Sequence, residues 1–182
     1  MKRLFGLTIF CFLFISPLVA QHHFPKDSAE WKVWHIYNAV PYSSYLSAHN
    51  LLGDSLLIGE TWKVVSPGFF SGWDSYIREV DSTQKVYFLI AFDDTLIDRV
   101  LYDFSKTTGD TIKVIDDWGN TIKWIVLGEG LDSVGFQQRR YLDVTRSGWN
   151  YYDRWFEGIG SVRGLFAPFT EPSGWFEHNY QM

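Results

Sequence analysis

Residues 75–91, SYIREVDSTQKVYFLIA, decide the fold class. Two strand-like runs, Ser75 to Val80 and Lys85 to Ala91, flank Asp81-Ser82-Thr83. That polar triplet is turn chemistry, because Asp and Ser side chains bond nearby backbone amides and reverse the chain. The second run, Val86-Tyr87-Phe88-Leu89-Ile90, is apolar on both faces. A strand of that kind belongs inside a sheet, with a neighbour on each side.

The same grammar extends outward in both directions. Toward the N-terminus, Trp31 to Tyr37 sets Trp31, Val33, His35 and Tyr37 against Lys32, Trp34 and Ile36. Asp54 to Ser66 reads as a hairpin turning at Ile58-Gly59-Glu60. Toward the C-terminus, Arg99 to Phe104 alternates cleanly, and Thr111 to Ile115 and Thr121 to Leu127 flank the turn cluster Asp117-Trp118-Gly119-Asn120. Ser133 to Thr145 forms one more hairpin, folded near Gly135, and Arg154 to Leu165 is the last patterned stretch. No window sustains a 3.6-residue apolar period, so long helices are not expected. The expected fold is all-β: an antiparallel meander of about ten short strands, closing as a sandwich or a partly open barrel.

Composition narrows the setting. Lys2 and Arg3 precede an apolar run from Leu7 to Ile15, Pro17 breaks it, and Val19-Ala20 ends it with a small residue. That order is the signature of a secretory signal peptide, and the run falls short of the ~20 apolar residues of a membrane span. The expected organisation is a signal peptide over 1–20, a flexible leader over 21–30, one β domain over 31–170 and a tail over 171–182. Cys11, the only cysteine, lies inside the apolar run and not at its end, so neither a lipid anchor nor a disulfide is expected after processing. Removing Lys2 and Arg3 takes the net charge from −5 to −7. An acidic chain without a basic cluster argues against nucleic acid as a partner, and no integral membrane segment is expected after signal removal. The expected location is the periplasm or the cell exterior.

Four segments also resemble a known group. They are Gly53-Asp54-Ser55-Leu56-Leu57-Ile58-Gly59-Glu60-Thr61-Trp62, Tyr76-Ile77-Arg78-Glu79 ahead of Lys85-Val86-Tyr87, Leu101-Tyr102-Asp103-Phe104-Ser105 ahead of Gly109-Asp110-Thr111-Ile112, and Trp155-Phe156-Glu157-Gly158-Ile159-Gly160-Ser161. In this order the chain resembles a family of exported β-rich proteins of Bacteroidota-type bacteria. The resemblance covers roughly Asp54 to Pro168 and implies compartment and fold, with no assigned chemistry to carry over. Many such proteins end in a type IX secretion sorting domain, which is not expected here.

Motifs that carry chemistry are sparse. Gly158-Ile159-Gly160-Ser161-Val162-Arg163-Gly164 suggests a nucleophile elbow, but Ile159 stands where that motif needs glycine, and Arg163 stands where a dinucleotide loop needs one. A glycine-rich turn against an aromatic core residue is the simpler account. His22, His23, His35, His49 and His178 have no metal-ligand spacing. The single metal hypothesis is that cleavage after Ala20 frees Gln21-His22-His23, whose amine, amides and third-position imidazole suit Cu(II). Asp93-Asp94 with Asp98, and Asp116-Asp117, lack a calcium-loop register and read as solvated turns. The repeated Asp-hydroxyl pairs at Asp54-Ser55, Asp110-Thr111 and Asp132-Ser133 read as turn devices ahead of strands.

Aromatic residues make up 19% of the chain, with nine Trp. Trp62, Trp124, Tyr152 and Trp155 belong to this surplus, and Trp73, Trp118, Trp149 and Tyr151 fall in turn-like stretches, where rings can stack on sugars or anchor a protein partner. Those last four are the candidate ligand-binding residues. No catalytic residue and no cofactor is assigned. The leading expectation is a non-enzymatic binding or scaffolding module directed to glycans or a cell-surface protein. A polysaccharide hydrolase using paired carboxylates such as Glu79, Glu129 or Glu157 is the second reading. A truncated family member without independent activity is the third.

Overall fold

The computed structural model describes residue 24 and residues 29–37, 43–68, 74–92, 95–116 and 119–169. Eleven antiparallel strands form two curled half-barrel sheets. Among the described residues the only helical elements are two short 3-10 turns.

The first sheet is a six-strand meander in chain order: β1 (Glu30–Tyr37), β2 (Ser43–Leu57), β3 (Glu60–Ser66), β4 (Ser75–Val80), β5 (Lys85–Phe92) and β6 (Thr95–Asp103). The doubly apolar β5 does lie between two partners, β4 and β6. The hairpin of β2 and β3 turns at Ile58-Gly59, as its sequence requires. The second sheet runs back the other way, with β7 (Thr111–Ile115) at one edge, then β8 (Thr121–Val134), β9 (Gln137–Arg146), β10 (Tyr152–Phe156) and the two-residue β11 (Gly160–Ser161).

Strict alternation builds the core. In β7 only Ile112 and Val114 are buried, and in β8 Ile122, Trp124 and Val126 point the same way. They meet Val65, Ile77, Phe88 and Leu101 of the first sheet, and Phe104, Leu165, Phe166 and Phe169 fill between. Phe24 also reaches this core, its ring tilted against Trp31 at 6.4 Å and Tyr102 at 6.3 Å, while its amide donates to Glu79 Oε2. Trp62 is buried on the opposite face of its sheet, with the Arg78 guanidinium 5.0 Å from its ring.

Two local readings need correction. β8 begins at Thr121 and continues to Val134, so the Gly135-Phe136 turn joins two long arms and does not fold a hairpin confined to Ser133–Thr145. The Asp-hydroxyl echo is also not one device. Asp110 does cap a turn, accepting from the Thr107 amide at 3.0 Å, which holds its carboxyl below the usual range. Asp54 and Asp132 sit inside strands, paired with Lys63 and Arg154, and Asp132 also accepts from the adjacent Ser133 amide at 2.8 Å.

One irregularity in β8 matters for the surface. Val126 pairs with Val144, but Gly128 pairs with Asp143, so Leu127 is an extra residue. A bulge of this kind moves everything after it to the other face. Gly128 and Gly130 therefore share the outer face with Asp143 and Tyr141, their cross-strand partners. A Cβ on Gly130 would lie 2.8 Å from the Tyr141 hydroxyl, so only glycine lets that ring lie across the strand.

A candidate binding groove on the second sheet

The bulge leaves an open groove of about 420 Å³ lined by Leu127, Gly128, Asp143, Tyr152, Arg154, Val162 and Arg163, with Val144 and Asp153 also contributing. Its volume falls within the ~300–1,000 Å³ usual for small-ligand sites. Register explains the polar floor: Arg154 on β10 is directly opposite Asp143 on β9. Arg154 binds that carboxylate with two parallel bonds, Nε to Oδ1 at 2.6 Å and Nη2 to Oδ2 at 2.9 Å. Its remaining Nη1 donates to Asp132 Oδ2 at 2.9 Å, and its guanidinium carbon lies 4.0 Å from the Tyr141 ring. The bidentate Asp143 raises the Arg154 pKa further. Such a fork is geometrically rigid and fixes where the polar atoms point.

At the rim, Tyr152 is 58% exposed. Arg163 donates through Nε to the Tyr152 carbonyl at 3.0 Å and stands 4.6 Å from the Tyr151 ring. Tyr151 itself is half-buried, 5.7 Å from Trp124, and burial pushes its phenol up to about 12. Trp149, 51% exposed, sits on the turn between β9 and β10 with the Arg146 guanidinium 5.3 Å away.

Beneath the groove lies a buried polar hub. Asp153 Oδ2 accepts from Ser161 Oγ at 2.6 Å and Trp155 Nε1 at 2.8 Å, while Oδ1 accepts from the Arg154 amide at 2.8 Å. The Tyr102 hydroxyl donates to the Leu165 carbonyl at 2.6 Å and accepts from the Ser161 amide at 3.0 Å, which ties the two sheets together. Burial drives the Tyr102 phenol well above its usual range, so this donor stays protonated. Ser161 is completely buried and already committed to Asp153, so it is a structural link and not an exposed nucleophile. Gly158, Gly160 and Gly164 all have positive φ beside this aromatic core, in agreement with the turn reading of the motif.

Burial raises the Asp153 carboxyl to about 6, with the Ser161 and Trp155 bonds pulling the other way. The folded state thus holds this proton more tightly than the unfolded chain. Asp153 contributes stability that is full below about pH 4 and lost as pH rises through about 6, roughly 3 kcal/mol in all. Asp153→Asn removes the titration. The stability difference between wild type and Asp153→Asn is expected to move against the wild type from pH 4 to 6.5, and urea unfolding across that range measures it.

The candidate residues from the sequence separate as follows. Trp73 and Trp118 lie outside the described residues, as do His22, His23, Asp93, Asp94 and Asp117. Trp149 is exposed, whereas Tyr151 is half-buried between core and Arg163 and offers no free ring face of that size. Trp62, Trp124 and Trp155 are core residues. None of Glu79, Glu129 and Glu157 lines the groove: Glu79 accepts from the Phe24 amide, Glu129 pairs with Arg140 at 2.5 Å, and Glu157 is buried. Asp98 faces Arg78 at 4.0 Å, and Asp116 caps the Asn120 amide at 2.7 Å. Among the described residues no three His, Cys, Asp or Glu side chains gather as a metal site would require.

Sequence reasoning missed Asp143, Arg154 and Arg163. A signal existed for the first two: folding the chain about Ser147-Gly148-Trp149-Asn150 sets Asp143 opposite Arg154 and Thr145 opposite Tyr152. Set against protein-family models, curated proteins and solved structures, the chain finds no match in any of the three.

Proposed function

We propose that the protein is an exported binding module that presents the outer face of its second sheet to a glycan. The observation that carries this reading is an exposed Tyr152 beside a groove whose polar floor, Asp143 and Arg154, is already locked in place. A sugar ring has a C–H face that packs on an aromatic and hydroxyls that need both acceptors and donors; Tyr, Asp and Arg supply these together. A preorganised floor lowers the ordering cost of binding. The signal peptide and the resemblance to exported Bacteroidota-type proteins belong to the same proposal.

Titration calorimetry against neutral and acidic oligosaccharides tests the site. Tyr152→Ala is expected to weaken the binding sugar about ten-fold or more, and Trp149→Ala to weaken it less, since Trp149 stands off the groove. Affinity unchanged in both variants would move the ligand elsewhere. Export is tested by the mass of the secreted form, which is expected to begin at Gln21.

A further inference from the structure

The two guanidiniums of the groove differ in a way that points to the ligand. Arg154 is more than neutralised, one cation shared between the carboxylates of Asp143 and Asp132. Arg163 has no carboxylate within ion-pair distance among the described residues; its guanidinium meets the Tyr152 carbonyl, the Tyr151 ring and the Tyr151 hydroxyl, and its amide donates to Ser161 Oγ. The charge that could compensate it through space, Asp153, is buried, with its oxygens already taken by Trp155, Ser161 and the Arg154 amide. Arg163 is thus a cation on the groove lining with no ion-pair partner among the described residues, close to the exposed Tyr152.

Resting on the glycan reading above, we infer that the sugar bound here is acidic, a uronic acid whose carboxylate pairs with Arg163 while its ring packs on Tyr152. A planar carboxylate matches the guanidinium fork, and of its five N–H donors the Tyr152 carbonyl and the Tyr151 hydroxyl take only part, which leaves terminal N–H groups for a partner. The chain as a whole is acidic, with a net charge of −5, so an anion gains nothing from the long-range field. Selectivity must come from this one local contact, and rising salt should cost little beyond it.

The test compares oligogalacturonate, its methyl ester and neutral gluco- and xylo-oligosaccharides on the wild-type protein by calorimetry. The free acid is expected to bind about ten- to a hundred-fold tighter than the ester. Arg163→Met is expected to erase that difference, and Arg163→Lys to keep part of it; circular dichroism confirms the fold of each. The ester comparison needs no variant, so it stands even where one fails to fold. Equal binding of acid and ester, neutral sugars binding better than the acid, or acid selectivity that survives Arg163→Met overturns this inference and leaves the glycan reading in place. No binding by any of the sugars overturns the glycan reading itself, and sugar binding indifferent to both Tyr152→Ala and Trp149→Ala overturns its placement on this sheet.

Discussion

Trp155→Ala is expected to lower the unfolding free energy by about 4 kcal/mol, the usual cost of emptying a large buried aromatic site. Trp155 is fully buried, edge-on to Trp124 at 5.3 Å and to Tyr102 at 5.1 Å. It thus touches both sheets, through Trp124 of β8 and Tyr102 of β6. Its indole N–H also serves Asp153 at 2.8 Å. Truncation leaves a cavity and withdraws a donor from a buried carboxylate, and the second loss makes the effect grow above pH 6. Domains of this size have roughly 5–15 kcal/mol to lose. Trp155→Phe separates the two contributions, since it keeps most of the packing and removes the N–H. Urea midpoints of both variants at pH 5 and pH 7 provide the measurement. A loss under 1 kcal/mol for Trp155→Ala would show that this hub does not hold the sheets together.

Gly160→Ala is the second large effect, about 2–5 kcal/mol. Gly160 has φ +97°, where a side chain is strained, and its added Cβ would lie 2.9 Å from the Tyr102 hydroxyl and 3.0 Å from the adjoining ring carbon. Tyr102 cannot step aside: its hydroxyl is fixed by Leu165 and Ser161, and its ring is stacked 5.8 Å from Phe104. Overpacking of a site like this costs ~1–3 kcal/mol beyond the backbone strain. Because the clash is partly with the hydroxyl, Tyr102→Phe should relieve some of it. The Tyr102→Phe and Gly160→Ala pair is expected to be less harmful together than their separate costs imply, by about 1 kcal/mol. Additive behaviour would place the damage in the backbone alone.

Much of the fold was legible because side-chain alternation and turn residues are local signals. Asp81-Ser82-Thr83, Ile58-Gly59 and Gly135 all turn the chain where their chemistry says. The doubly apolar β5 is flanked on both sides for the same reason. The long arm of β8 was harder to read, because its distal half, from Leu127 to Val134, faces solvent and carries no buried alternation. The bulge at Leu127 was invisible, since an extra residue changes face without changing composition. Of the groove's lining only Tyr152 stood among the surplus aromatics of the sequence, and the candidate ligand-binding residues Trp149 and Tyr151 lie beside the groove and not in its lining. Its charged members come from three elements, and Asp143 and Arg154 meet only once the last hairpin is folded at the right turn. Turn position did set the exposed Trp149 apart from Trp124, which is buried in β8, but it did not predict that Tyr151, two residues on, would be half-buried against Trp124.

The position of Phe24 sets a limit on how far the chain's beginning can be trimmed. Its ring caps Trp31 and Tyr102, and its amide is spent on Glu79. A protease cutting before residue 24 leaves these contacts intact. One cutting after it removes a ring that packs on both edge strands of the first sheet, on β1 through Trp31 and on β6 through Tyr102. The proposed leader cleavage after Ala20 falls on the safe side of that line, with three residues to spare.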